Sequence, residues 1–546
     1  MKRKFIYIPL LLVFMVFQGC SKSFLDLSPT TNLSQANFYT NETNAFEAVT
    51  SVYACNAVQN WAITPMMDDI WSDDEYKGGS AFSDMKEWGD IENQDANAND
   101  VNSVQDLWQR LYVGIYRANI YLDNQNNITN WTNPANKTRF EAEVRFLRAN
   151  FYWNLERNYG WVPLILHVDP VIQDYQAIPQ STPTQIYTQI ASDLLFAIHN
   201  LPSQALPHAE VGRATKYAAQ ALLARIYMFY TGYAMKQTGL GVTSDWTDGT
   251  TDINQAFVEA TLDTIIAQPQ YSLLPKYSEL FDWEHQNSSE GIFEIQYSEL
   301  GKSSDWSTYF NIDGNFMDVF TGPRNPAGDP SVQAGWSFGV PTWSLANEFE
   351  TGDPRMNVTL YNAATKLTGY TAGFQNTGYF NYKYMGLTIG VASQGDSRQN
   401  YPENFIDMRL ADVLLMAAEL HLTDNPAKAL TYFNQVRTRA LGASAALATL
   451  TLANIQHERR VEFACEGIRK LDLMRWGTNA DPLSYAEAQI NPTFTNATIP
   501  ATIPNSADFI MNLKVNTDTW GMLPIPAYEI EHANAGVLKQ FIPAYQ

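Results

Sequence analysis

Five tryptophans stand where helical periodicity fails: Trp71, Trp88, Trp283, Trp306 and Trp336. Polar residues flank them, as in Ile70-Trp71-Ser72-Asp73-Asp74 and Ser304-Asp305-Trp306-Ser307. An indole with few apolar neighbours offers a flat face that stacks on the C–H face of a sugar ring, while adjacent Asp, Asn and Arg hydrogen-bond hydroxyls. Taken singly, each reads more simply as a large core hydrophobe. Taken together, they predict that some line a ligand surface. The expectation is that Trp71 and Trp88, from the first long loop, converge with Trp306 and Trp336 from a glycine-rich middle. Asp73 and Asp74 then accept hydrogen bonds from hydroxyls and Arg324 donates them; Trp283 is a further candidate. Trp108, Trp153 and Trp476 fall on helical apolar faces and are assigned to the core.

Other chemistries lack their residues. The seven histidines are scattered, with no H-E-x-x-H or His-x-x-x-His pair, and no Gly-x-Ser-x-Gly elbow or phosphate-binding glycine loop occurs. No catalytic residue, metal ligand or cofactor is assigned on that basis. Asp73-Asp74-Glu75 could serve a glycosidase or hold calcium, but a solvated acidic loop is the plainer reading. Calcium is left open. A formal charge of −22 repels phosphate backbones and argues against nucleic acid as a partner. Three cysteines are too few for a disulfide framework; Cys55 and Cys465 read as two separate buried thiols.

The elements that must position these residues are mostly helical. Phe140, Val144, Leu147, Phe151 and Leu155 step by four, three, four and four, one stripe on a helix that Gly160 and Pro163 stop. Thr215 to Tyr230 is a second, with small Ala218, Ala219, Ala221 and Ala224 allowing close approach of a neighbour. Further helices are predicted at about 43–59, 104–125, 184–200, 254–267, 405–423, 427–440 and 452–475. Many are consecutive pairs with short links, the unit of tetratricopeptide-type solenoids. Residues 291–400 differ, carrying 14 of the 30 glycines; loops and short strands are expected there, Gly291 to Tyr297 being the best strand by alternation.

The N-terminus reads as an address. Lys2, Arg3 and Lys4 precede the apolar run Phe5 to Phe17, too short to span a bilayer, and Gly19-Cys20 follows in the manner of a bacterial lipobox. Residues 1–19 are thus expected to be a lipoprotein signal peptide and Cys20 the lipidated first residue, an anchor that holds the protein on a membrane without crossing it.

Several blocks in order along the chain resemble the SusD/RagB family of outer-membrane lipoproteins. They include Cys20-Ser21 with Phe24 to Pro29, Trp108 to Asn119, Glu143 to Ala149 with Asn158-Tyr159-Gly160, and Arg213 to Tyr227. The C-terminal half adds Arg409 to Glu419, Asn434 to Ala440, Glu458 to Phe463, Asp472 to Trp476 and Leu523-Pro524-Ile525-Pro526. The resemblance implies a mainly α fold, a tetratricopeptide-like helix-pair solenoid with a long irregular, loop-rich middle containing short strands. It implies one SusD-like domain over 20–546, with scaffold at about 20–280 and 400–546 and a ligand-binding excursion at about 280–400. It also implies non-catalytic capture of an oligosaccharide at the cell surface and delivery to a SusC-type TonB-dependent transporter barrel. The Arg–carboxylate pattern of these blocks, such as Glu458 and Arg459 with Arg475, is expected to tie helices together. A glycoside hydrolase-like enzyme and a peptide-binding uptake lipoprotein are the alternatives.

Overall fold

The computed structural model describes residues 38–59, 61–168, 175–242, 245–298, 314–388, 396–493 and 514–546. The leader read at 1–19, Cys20 and Trp306 lie outside them. The first half supplies α1 (Glu42–Ala57), α2 (Thr64–Trp71), α3 (Lys86–Glu92), α4 (Asp106–Asn124), α5 (Ala135–Tyr159), α6 (Pro183–Asn200), α7 (Lys216–Phe229) and α8 (Gln255–Ile266). In α5 the predicted stripe is buried throughout, and the helix ends at Gly160, whose φ of +68° favours a residue without Cβ. Thr182 and Gln185 close a capping box on α6, and the Thr215 side chain caps α7. The four alanines of α7 are buried, and α6 and α8 both pack against it.

The middle holds α9 (Met317–Thr321) and most of the strands. In chain order these are β1 (Glu75–Gly78), β2 (Gly291–Ile295), β3 (Arg324–Ala327), β4 (Phe338–Pro341), β5 (Leu360–Asn362), β6 (Gly369–Thr371), β7 (Tyr379–Asn381) and β8 (Phe405–Arg409). They pair antiparallel as β1–β4, β2–β8, β3–β6 and β5–β7. The β2–β8 pair gathers both ends of the irregular segment at one place.

The second half adds α10 (Leu410–Leu420), α11 (Pro426–Leu441), α12 (Leu452–Phe463) and α13 (Arg469–Arg475). Along the molecule α1 packs on α4 and α5, α5 on α6, α6 on α7, α7 on α8, α8 on α10 and α10 on α11. The fold is mainly α, an array of helix pairs with an irregular excursion that carries most of the short strands. Two helix expectations are corrected. Phe405–Arg409 is a strand because it pairs with β2, so the helix starts at Leu410. The helix expected over 452–475 breaks after Phe463, where Cys465 (φ +64°) and Gly467 (φ +73°) turn the chain. A Cβ on Gly467 would come within 2.5 Å of Pro65 Cα, so the turn also allows a close approach to α2.

Buried ion pairs join these parts. Arg409 on β8 contacts Glu290, Glu462 and Glu466, while Arg355 contacts Asp353, Glu458 and Glu462. Arg459 bridges Asp412 and Asp472, and Arg475 bridges Asp472 and Glu419, so the Arg–carboxylate pattern does tie helices together. Cys55 and Cys465 are free, buried thiols. Trp108 and Trp153 are buried and Trp476 is half-buried. No helix among the described residues is long and apolar enough to cross a membrane.

Candidate functional site

The loop after β1 is shaped from its backbone outward. Gly78 (φ +72°) and Gly79 (φ +90°) run against β4, where a Cβ on Gly78 would lie 2.2 Å from the Ser337 carbonyl oxygen. Lys77 is fully buried, and its Nζ donates to the Ala81 and Phe82 carbonyls at 3.0 and 2.9 Å, which folds the tip over it. Burial pulls this ammonium down to about 8, against the opposing charges of Glu92, Asp84 and Asp90. Ser80 donates from its backbone N–H and its hydroxyl to Asp84 Oδ2, at 2.8 and 2.5 Å. Phe82 is left 53% exposed at the tip.

The glycine-rich middle meets this loop. Phe374 N–H donates to the Gly79 carbonyl at 2.9 Å, and the Phe374 ring meets Phe82 edge-on with centroids 5.9 Å apart. Arg324, at the start of β3, donates to Asp84 Oδ2 at 3.2 Å and to the Trp336 carbonyl at 2.6 Å. Burial lowers the Arg324 pKa, opposed by the charge of Asp84. Half-buried Trp336 stacks on Trp61, with centroids 6.4 Å apart and planes at 18°, over the ring of Phe320. The result is a region with one exposed ring, Phe82, two half-buried rings, Phe374 and Trp336, and a carboxylate–guanidinium pair partly open to solvent.

Arg324 joins the loop to the Trp336 backbone, while the expected meeting of Trp71 and Trp88 with Trp336 on an open surface is not what the structure shows. Trp71 is 4% exposed, at the end of α2 beneath the Lys470 ammonium, 5.4 Å from the ring centroid. Trp88 is fully buried on α3, stacked on Phe320 at 5.1 Å and donating from Nε1 to the Trp61 carbonyl at 3.1 Å. The partners that bury both rings are distant in sequence, so their local polarity misled. Asp73 and Asp74 are neither ligand acceptors nor a solvated loop. Arg469 grips Asp73 with two bonds of 2.8 and 3.0 Å, and Arg460 reaches Asp73 and Asp74 at 2.9 and 2.8 Å. Burial alone would raise the Asp73 carboxyl, but the two guanidiniums hold it at about 2; burial keeps Asp74 above its ordinary value despite Arg460.

Trp283 is 41% exposed and lines a different place, a cavity of 560 Å³ with Phe281, Tyr382, Tyr401, Asp318 and Glu403. Burial pushes the Asp318 carboxyl well up, and burial with the Asp318 charge does the same to Glu403. The residues missed were Phe82, Phe374 and Asp84. The signal for them was available: Phe82 sits among Ser80, Ser83 and Asp84 just after a Gly-Gly pair, and the test applied to tryptophan applies equally to phenylalanine.

Comparison with known proteins shows which chains this one resembles. A family model described as the SusD family matches residues 355–545, and one described as "Starch-binding associating with outer membrane" matches 23–228. A SusD-like protein of Formosa agariphila is 27% identical over 526 residues, covering 89% of this chain and 92% of that one. A solved laminarin binding SusD-like protein has a TM-score of 0.72 at 28% identity, covering 91% of this chain and 100% of its own. The surface glycan-binding protein A from Bacteroides thetaiotaomicron, solved in complex with laminarihexaose, has a TM-score of 0.74 at 26% identity, covering 93% and 100%.

Proposed function

The chain belongs to the SusD/RagB family, and from that premise we propose that it is a non-catalytic glycan-binding lipoprotein of the outer membrane. It captures oligosaccharide outside the cell and delivers it to a SusC-type TonB-dependent transporter. The observation that carries the proposal is the meeting of Phe82, Phe374 and Trp336 with Asp84 and Arg324 on one surface. Aromatic faces supply stacking platforms for sugar rings, and the ion pair supplies hydroxyl acceptors and donors. Relatives described as binding laminarin, or solved with laminarihexaose, support a glycan as the ligand class. Lipidation at Cys20 would anchor the chain, residues 20–546 acting as one unit. Trp306 is proposed as a further ligand-binding residue.

The test is calorimetry with laminarihexaose, maltoheptaose and a mixed peptide pool side by side. Saturable binding of an oligosaccharide, with no peptide uptake, is the expected result; peptide binding alone would overturn the ligand class. A second reading has one observation in its favour, the protonation-prone Asp318 and Glu403 in a cavity lined by an exposed tryptophan. A glycosidase built there would release reducing ends from oligosaccharides and stop doing so in Glu403→Gln. Under the binding reading neither protein releases any.

A further inference from the structure

Away from that surface, α8 meets the turn between α10 and α11. Glu259 and Asp263 lie four residues apart on one face of α8. His421 follows the last residue of α10, and Asp424 lies in the link to α11. The His421 side chain is only 5% exposed, yet neither ring nitrogen closes a hydrogen bond of ordinary length. Nδ1 lies 3.4 Å from each Asp424 oxygen and 3.9 Å from Glu259 Oε2. Nε2 lies 3.5 Å from Asp263 Oδ1 and makes no hydrogen bond. Ordinary N–H···O bonds cluster near 2.9–3.0 Å, so a buried imidazole is aimed into three carboxylates and tightly held by none.

These spacings suit ligands around a metal. Bonds of about 2.0–2.2 Å in a tetrahedral shell put neighbouring ligand atoms roughly 3.3–3.6 Å apart. One ligand atom from each of Glu259, His421 and Asp424 lies within 4.8 Å of the others. We propose that Glu259, His421 and Asp424 form a divalent transition-metal site of the kind zinc occupies, with water completing the shell through the half-exposed Asp424.

The surroundings orient each ligand. Gln255 Nε2 donates to Glu259 Oε1 at 2.7 Å and to the Leu420 carbonyl at 3.1 Å, which leaves Oε2 turned to the ring. Asp263, held by the Tyr432 hydroxyl at 2.7 Å and by the Lys428 ammonium, stands on the far side of the imidazole. It is placed to accept a hydrogen bond from Nε2–H and so turn the Nδ1 lone pair toward Glu259 and Asp424, the usual second partner of a metal-bound histidine. Two carboxylates and a neutral imidazole sum to −2, matching a dication, while Lys428 offsets Asp263. A ring nitrogen among the ligands favours zinc over calcium or magnesium, which take oxygen. The ion would fasten α8 to the α10–α11 turn.

The competing account is an imidazolium alone among the carboxylates. Tag-free, metal-stripped full-length protein titrated calorimetrically with zinc chloride distinguishes the two. Zinc should saturate at one equivalent, raise the melting midpoint and be displaced poorly by calcium. Asp424→Asn, at a half-exposed position that should not disturb folding, and His421→Gln should each weaken binding about tenfold or more. Asp263→Asn should weaken it about 10–100-fold through the ring's orientation. Absence of saturable uptake, uptake undiminished in Asp424→Asn, or equal binding of calcium overturns the site.

Discussion

At the scale of single residues, exposure separates side chains that a sequence presents as alike. Phe82 and Trp88 both sit among polar neighbours, but Phe82 is 53% exposed and Trp88 is fully buried. Phe82→Ala and Phe374→Ala should each lower oligosaccharide affinity by about 1–3 kcal/mol, on the scale of aromatic platforms for other flat ligands. That is roughly fivefold to 150-fold, and melting should barely change. Trp88→Ala should instead cost about 3–5 kcal/mol of stability, because its ring fills the space between Phe320 and Phe338. Paired calorimetry and melting of the three variants checks this; a Phe82 variant that melts early with affinity intact would move the platform elsewhere. Asp73→Asn carries a different cost. It leaves the Arg469 and Arg460 guanidiniums buried against a neutral amide, and breaking such a pair costs about 3–5 kcal/mol. Urea denaturation should show a large drop in midpoint with little change in slope.

At the scale of elements, Leu147 tests the scaffold. It is fully buried in mid-stripe on α5, so Leu147→Ala should cost about 2–5 kcal/mol, depending on how far the site collapses. A melting midpoint within a degree of the parent would contradict the packing. Helices such as α5 and α7 were legible because their burial follows from residues three and four positions apart. The break between α12 and α13 was not, since apolar residues continue through it and only two left-handed residues mark it. β8 was misread for a related reason: Phe405–Arg409 is apolar enough for either element, and its partner β2 lies more than a hundred residues earlier. Of the residues expected on a ligand surface, Arg324 and Trp336 stand beside the Phe82 loop, joined to it through Asp84. Trp71, Trp88, Asp73 and Asp74 do not, because partners in the middle and in α12 and α13 bury them.

At the scale of the whole molecule, buried carboxylates set the pH response. Asp73 and Asp412 are held at about 2 against the burial that would raise them, chiefly by Arg460 for the first and Arg459 for the second. Their stabilisation is present above the unfolded values near 4 and lost as pH falls toward 2. Burial pushes Glu92 up to about 7 and Glu75 and Glu156 up to about 8. Stability from these neutral acids is full below about 4.5 and lost as pH rises through 7–8, and the net charge of −22 adds self-repulsion in the same direction. Denaturation between pH 2 and 9 should therefore show greatest stability near pH 4–5, and Glu156→Gln should flatten the alkaline side. A midpoint that climbs steadily from pH 5 to 9 would contradict this. The Asp73–Asp74 clamp has a consequence in time as well. Its guanidinium partners come 386 and 396 positions later in the chain, and synthesis at about 5–20 residues per second delays them by roughly 20–80 s. Until then the Asp73 and Asp74 carboxylates lack the guanidiniums that hold them, and the segment leading into the Phe82 loop is tied only by backbone bonds to Thr342 and β4. A polypeptide cut short before Arg460 would coil its first helices with these two carboxylates still uncompensated, so the final form of that segment belongs to chains that have reached α12 and α13.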